Sequence, residues 1–156
     1  MPENRFQIRV IAKNKRAFFE YEILEKLEAG LALSGTEVKS VRAGKVSLLD
    51  GWVEINDEGQ ALLKQVHIAP WEYGNIYNHD EMRVRQLLLK KRELIRLKNS
   101  LHAKGLTLVP LRMYLKGRLV KVELGLGKGK KLHDKRSTTQ EREANRAMER
   151  AMKRQV

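Results

Sequence analysis

Between residues 18 and 126 the chain keeps returning to a two-residue period, and that period limits the available folds more than any other feature. Phe19, Tyr21 and Ile23 fall on one side of an extended backbone, while Glu20 and Glu22 fall on the other. Leu27, Ala29, Leu31 and Leu33 repeat the pattern, as do Val120, Val122, Leu124 and Leu126. Successive side chains of a strand point to opposite faces, so these runs suit strands with one face buried and one in water. Residues 52–55, 61–68, 86–89 and 107–115 are further strand candidates. Turn chemistry separates several of them, in Asn56-Asp57-Glu58-Gly59 and Lys116-Gly117-Arg118. Pro110 has no amide hydrogen to give a ladder, which places it at an edge or a bulge.

Two short helices interrupt the strands. Ser34 followed by Glu37 has the spacing of a capping box, Val38 and Val41 suit a core-facing side, and Gly44 suits the end. The second helix spans residues 91–104, with Leu94, Leu97 and Leu101 as its inner stripe and Gly105 as its stop. Lys91, Arg92, Arg96, Lys98 and Lys104 occupy its other faces, where a solvated surface explains them as well as a partner does. The expected fold is mainly β: a closed or partly open antiparallel barrel of about six strands with two or three short helices. A split α+β sandwich is the alternative, and no internal repeat is present.

Charge supplies the functional direction. Lys and Arg number 32 against 19 Asp and Glu, a formal net charge of +13. Such a surplus attracts polyanions, RNA or DNA above all, through salt-sensitive phosphate contacts. The chain has no cysteine, which excludes disulfides, cysteine-ligated zinc and thiol catalysis. Charges are spread through residues 1–15, with no apolar signal region, and no apolar run approaches the roughly 18 residues of a membrane span. A monomeric cytoplasmic protein with no membrane contact is expected.

Composition shifts after Leu126. Gly125-Leu126-Gly127-Lys128-Gly129-Lys130-Lys131 reads as a glycine hinge running into lysines; it is neither a Walker loop nor a dinucleotide fingerprint. Residues 128–156 hold ten Lys or Arg against four Asp or Glu. Ala144, Ala147, Met148, Ala151 and Met152 recur at helical spacing, but so weakly apolar a stripe does not hold a helix by itself. The tail is therefore expected to be disordered when free and to fold on a polyanionic partner. The domain reading is a flexible segment over 1–12, a barrel over 13–127 and a basic tail over 128–156.

No catalytic constellation stands out. His67, His79, His102 and His133 lack metal-ligand spacing, and neither a Gly-x-Ser-x-Gly elbow nor a His-Glu-x-x-His helix occurs. No enzyme, cofactor or metal is expected; a small basic nuclease using His79 or His102 is the alternative. His133, flanked by Lys131, Asp134, Lys135 and Arg136, suits stacking on an unpaired base.

Several blocks together resemble the SsrA-binding protein (SmpB) family. They are Asn14-Lys15-Arg16-Ala17, Glu28-Ala29-Gly30, the run from Gly35 to Gly44, Leu87-Leu88-Leu89, Gly105-Leu106-Thr107-Leu108-Val109-Pro110, and Gly129-Lys130-Lys131-Leu132-His133-Asp134-Lys135-Arg136. They come in family order over about residues 12–154. The resemblance implies an oligonucleotide-binding (OB)-type barrel that holds the tRNA-like part of transfer-messenger RNA (tmRNA, SsrA RNA). It implies delivery of that RNA to stalled ribosomes for trans-translation, with elongation factor Tu met through the RNA complex. The nascent peptide is then tagged and the ribosome rescued.

On the same basis Asn14, Lys15, Arg16, Tyr21, Glu28 and Leu88 are the barrel's RNA residues. Lys128, Lys130, Lys131, His133, Asp134, Lys135 and Arg136 are the tail's contacts in the decoding centre and the empty mRNA channel, where the tail would become helical. Two positions depart from the family pattern. Gln86 stands where a basic residue commonly precedes the three leucines, and Trp71 replaces a usual tyrosine.

Overall fold

The computed structural model describes residues 7–130 and 132–154. In chain order these form β1 (Ile8–Lys13), α1 (Lys15–Glu20), β2 (Tyr21–Leu31), α2 (Gly35–Arg42), β3 (Val46–Ser47), β4 (Trp52–Ile55), β5 (Ala61–Lys64) and β6 (His67–Ile68). After a loop with a 3-10 turn at Asn75–Tyr77 come β7 (Arg85–Leu88), α3 (Lys91–Ala103), β8 (Thr107–Lys116), β9 (Leu119–Gly129) and α4 (Leu132–Arg154). Six strands close an antiparallel ring in the order β8-β4-β5-β7-β2-β9, because β9 pairs with both β2 and β8. β1 lies outside the ring on the second half of β8, while β3 and β6 pair separately. The mainly β barrel read from the alternation is thus the fold, and it is closed.

Closure depends on two bulges. β8 pairs with β4 at Leu108 and with β1 from Arg112 onward, and its register against β9 shifts between Pro110 and Arg112. The extra residue re-aims the strand where it exchanges one neighbour for another, and it accommodates the proline. A second shift lies between Ile23 and Glu25 in β2. Across each bulge the inward phase changes: Leu27, Ala29 and Leu31 face the main core with Val122, Leu124 and Met113, whereas Tyr21 and Ile23 pack with Ala17, Val109 and Leu111 in a second cluster under α1.

Four local readings change. Residues 18–20, expected in a strand, are helical, because Asn14 caps α1 by accepting from the Ala17 amide. Residues 8–12, expected as part of a flexible segment, are in β1 and its pairing with β8. The strand expected over 61–68 is two strands, broken at Gln65, whose φ is 60°. The glycine run is not a hinge: β9 continues to Gly129, which pairs with Tyr21. A Cβ on Gly125 would lie 2.8 Å from the Leu111 side chain, and one on Gly127 would lie 3.0 Å from Tyr21 Cβ. These glycines let the second cluster close against β9.

The capping box of α2 is complete, and α3 buries Leu97 beneath half-buried Leu94 and Leu101, as its spacing predicts. The tail, expected without structure in the free chain, is here a 23-residue helix. Ala, Met, Glu and Arg favour that state intrinsically. Arg142 lies 5.9 Å over the Phe19 ring, and Met148 and Met152 are exposed. Among the described residues no helix is long and apolar enough to cross a membrane.

Candidate nucleic-acid interface

Outward-pointing positions of β1, β8, β9, β2 and β7 line up as rows across the barrel wall. Lys13, Arg112, Glu123 and Glu28 are successive cross-strand partners, followed by Val10, Tyr114, Lys121, Gly30 and Leu88. Directly opposed residues share a face, so this wall carries Lys13, Lys26, Arg112, Lys116 and Lys121 around two acids. Both acids are engaged. Glu123 meets Arg112 at 3.2 Å, and Glu28 accepts from the Tyr114 hydroxyl and from Lys116 Nζ at 3.4 Å.

The hydrogen bond from Tyr114, aided by Lys116, holds the Glu28 carboxyl below the usual carboxylate range despite its partial burial. Burial and the charge of Glu28 push the Tyr114 phenol upward. Glu28 is therefore a fixed carboxylate and Tyr114 a fixed donor to it. Arg112 lies 5.1 Å over the Tyr114 ring, which completes a stacked layer.

Two depressions flank this layer. One, about 390 Å³, is lined by Lys13, Lys15, Phe18, Lys26 and Arg112, with Lys26 Nζ 5.4 Å over the Phe18 ring. The other, about 750 Å³, runs between β2, β7 and α3 and is lined by Glu28, Gly30, Gln86, Leu88, Lys90 and Lys121. Leu88 is 56 % exposed there. It faces Gly30, where a Cβ would lie 3.3 Å from its own, so glycine leaves bare backbone beside a standing leucine.

The barrel residues singled out from sequence divide three ways. Lys15, Glu28 and Leu88 belong to this wall. Arg16 and Tyr21 line a separate groove with Trp52 and Asp50; Arg16 Nε meets Glu20 at 2.7 Å and its Nη1 meets Asp50 at 3.5 Å. Asn14 is only 3 % exposed. Its Nδ2 donates to Leu48 O at 3.1 Å and Pro110 O at 3.0 Å, and its own N–H donates to Leu111 O at 2.7 Å. It takes the Pro110 carbonyl between β1 and β4 and sets α1, hence Lys15, over the wall. Sequence reasoning passed over Lys13, Lys26, Arg112, Tyr114, Lys116 and Lys121. Their signal was the outward phase of the strands, where each of β1, β8, β9 and β2 carries at least one cation.

In the tail, Lys128 is exposed on β9 opposite Glu22. The Lys130 amide donates to Glu20 O at 2.8 Å and its Nζ to Phe18 O at 3.2 Å, tying the strand end to α1. Arg136 is exposed on α4. Lys131 lies outside the described residues, as do the side chains of His133, Asp134 and Lys135.

His67 pairs with Glu81 at 2.9 Å. His79 is a brace: its Nε2 lies 2.9 Å from the Ile68 carbonyl and its Nδ1 2.9 Å from Thr36 Oγ1. A carbonyl only accepts, so Nε2 carries a proton and donates to Ile68 O. His102 is exposed on α3.

The SmpB protein family model matches residues 11–154. An SsrA-binding protein of Thermosynechococcus vestitus is 56 % identical over 147 residues, 94 % of this chain and 96 % of that protein. That of Carboxydothermus hydrogenoformans is 50 % identical over 145 residues, 93 % of this chain and 97 % of its own. A solved chain described as "tmRNA-SmpB: a journey to the center of the bacterial ribosome" superposes with a TM-score of 0.65 at 50 % identity, over 78 % of this chain and 85 % of that one.

Proposed function

This chain belongs to the SmpB family, and from that premise we propose how its parts share the work of an RNA-binding protein that brings tmRNA to stalled ribosomes. It binds SsrA RNA and acts with it on the ribosome in trans-translation. The observation that carries the division of labour is the barrel wall, where β1, β8, β9 and β2 turn cations outward around the fixed carboxylate of Glu28, and β7 adds the exposed Leu88.

Phosphates of a folded RNA meet Lys13, Lys15, Lys26, Lys116 and Lys121. Such contacts set position without reading sequence. Glu28, kept ionised by Tyr114, accepts from a 2′-hydroxyl or a base amino group, and Leu88 packs on a base. Asn14 acts through α1, Lys15 and the wall, and touches no RNA. Arg16 and Tyr21 lie on the far side of α1 and make at most a second, weaker contact.

The tail reads the ribosome. Its helix of 23 residues spans roughly 34 Å at about 1.5 Å per residue, enough to reach from a decoding site along an empty message channel. Lys128, Lys130, Lys131, Lys135 and Arg136 meet ribosomal RNA there, with His133 stacking and Asp134 orienting its neighbours. The role is binding and delivery without catalysis, in the cytoplasm.

The test is a titration against tmRNA with tRNA as competitor at several salt concentrations. Preference for tmRNA is expected, with log Kd linear in log salt. Lys121→Ala should weaken binding and reduce the salt slope by about one. Equal affinity for both RNAs, or an unchanged slope in the variant, sinks the assignment of this wall.

A further inference from the structure

The chain's positive charge is not evenly spread. Residues 46–82 contain seven carboxylates and a single lysine, so all but one of the 32 Lys and Arg lie elsewhere. This span supplies β4 and β5, which stand across the six-stranded ring from β2 and β9 of the RNA wall. It ends in the loop between β6 and β7, which exposes the three large apolar side chains most open to solvent in the described molecule: Tyr73 at 73 %, Ile76 at 87 % and Tyr77 at 84 %. Exposed Glu72, Asp80 and Glu81 flank them in sequence, with Glu81 paired to His67 at 2.9 Å; residues 65–82 hold no Lys or Arg, and Arg83, which lines a groove with Tyr77, is paired with buried Glu37. None of these loop residues lines either basic depression.

The exposure does not come from a loose loop. Asn78 clamps both ends of the turn: its Oδ1 accepts from the Trp71 amide at 2.9 Å, and its Nδ2 donates to the Trp71 carbonyl at 2.6 Å. His79 ties the loop to α2 and β6 as described above. Buried Arg85 holds the carbonyls of Asp80 and Glu81 at 3.3 and 3.1 Å. Trp71 meets Tyr73 edge-on at 5.5 Å, which fixes the first of the three side chains. A loop backbone already held before binding loses little freedom when it is covered.

We propose that Tyr73, Ile76 and Tyr77, rimmed by Glu72, Asp80 and Glu81, form a docking surface for a basic protein. Clustered exposed apolar groups mark interaction sites, and tyrosine is enriched where such sites bind tightly. The acidic rim selects the partner class: carboxylates repel a phosphate backbone and attract lysine and arginine on a protein. The molecule would then hold RNA on the basic wall and a cationic protein at the loop between β6 and β7. The setting, a ribosome-bound complex, rests on the function proposed above.

The experiment measures affinity of the full chain, bound to tmRNA, for ribosomes stalled on a truncated message. Tyr73→Ser/Ile76→Ser/Tyr77→Ser leaves Asn78, His79 and Arg85 in place and should keep tmRNA affinity while weakening ribosome binding roughly tenfold or more. Glu72→Lys should weaken ribosome binding several-fold, because it opposes a cationic partner. Strengthened binding by Glu72→Lys would mean that RNA occupies the loop, and unchanged binding in both variants would mean that nothing does; either overturns the proposal. A benzophenone side chain introduced at position 77 should give an adduct that protease removes and ribonuclease does not, and the opposite sensitivity also overturns it. Failure of the unmodified chain to prefer tmRNA would instead strike the function itself.

Discussion

At the scale of single residues, Asn14 and Glu37 each join parts of the chain that are distant in sequence. Asn14→Ala removes the α1 cap and the side-chain donor to Pro110 O, while Leu48 O keeps the Gly51 amide at 2.9 Å. A lost cap costs about 1 kcal/mol and one buried carbonyl deprived of its donor about 1–3 kcal/mol, so a loss of about 3 kcal/mol is expected in denaturant unfolding. Asn14→Asp keeps the cap acceptor but sets a buried carboxylate oxygen against both carbonyls, so it should cost at least as much as Asn14→Ala.

Glu37 is fully buried between Arg85 and Arg83, each at 2.5 Å, and it also accepts from the Ser34 amide at 2.9 Å. Burial alone would raise its carboxyl; the hydrogen bonds from Arg83, Ser34 and Arg85 outweigh it and hold the group at about 2. A carboxyl depressed on folding stabilises fully above its unfolded value and loses that contribution as pH falls toward the folded one. Stability should therefore decline between about pH 5 and pH 2, and Glu37→Gln should flatten that part of the profile. A variant with the same acid slope as the parent would show that the pair does not govern it. Removing the carboxylate outright leaves Arg85 buried without its ion, which costs about 3–5 kcal/mol in comparable cases.

At the scale of elements, the boundary between barrel and tail becomes a sharp expectation. β9 pairs with β2 as far as Gly129, and Lys130 ties back to Glu20 and Phe18. A chain ending after Lys130 should keep its thermal stability and its tmRNA affinity while losing tagging on stalled ribosomes. One ending after Leu126 removes the partners of Tyr21, Glu22 and Ile23 and should lose stability as well. If both truncations bind RNA and melt alike, the last three residues of β9 contribute nothing to the wall. α4 meets α1 through Arg142, which lies 5.9 Å over the Phe19 ring.

At the scale of the whole molecule, closure of the ring sorts charge. The polar phases of β1, β8, β9 and β2 meet as one basic wall, and the acidic span of residues 46–82 forms the strands opposite it. A net charge of +13 describes neither side. Long-range attraction to RNA thus also orients the protein, since the field differs between its walls.

The sequence by itself determined the strands with clear alternation, both capped helices, the hairpin turn at Gly117 and the basic tail, because each depends on contacts within a few residues. It also carried the family blocks. Only the tertiary structure decided that Asn14 braces the wall from inside, that the glycines of β9 are packing positions, and that Lys26, Arg112 and Lys121 share a surface. Those outcomes turn on bulges and on pairings between residues about a hundred positions apart, such as Tyr21 with Gly129. A two-residue period says that a side chain points outward; which outward side chains become neighbours is fixed only when the ring closes.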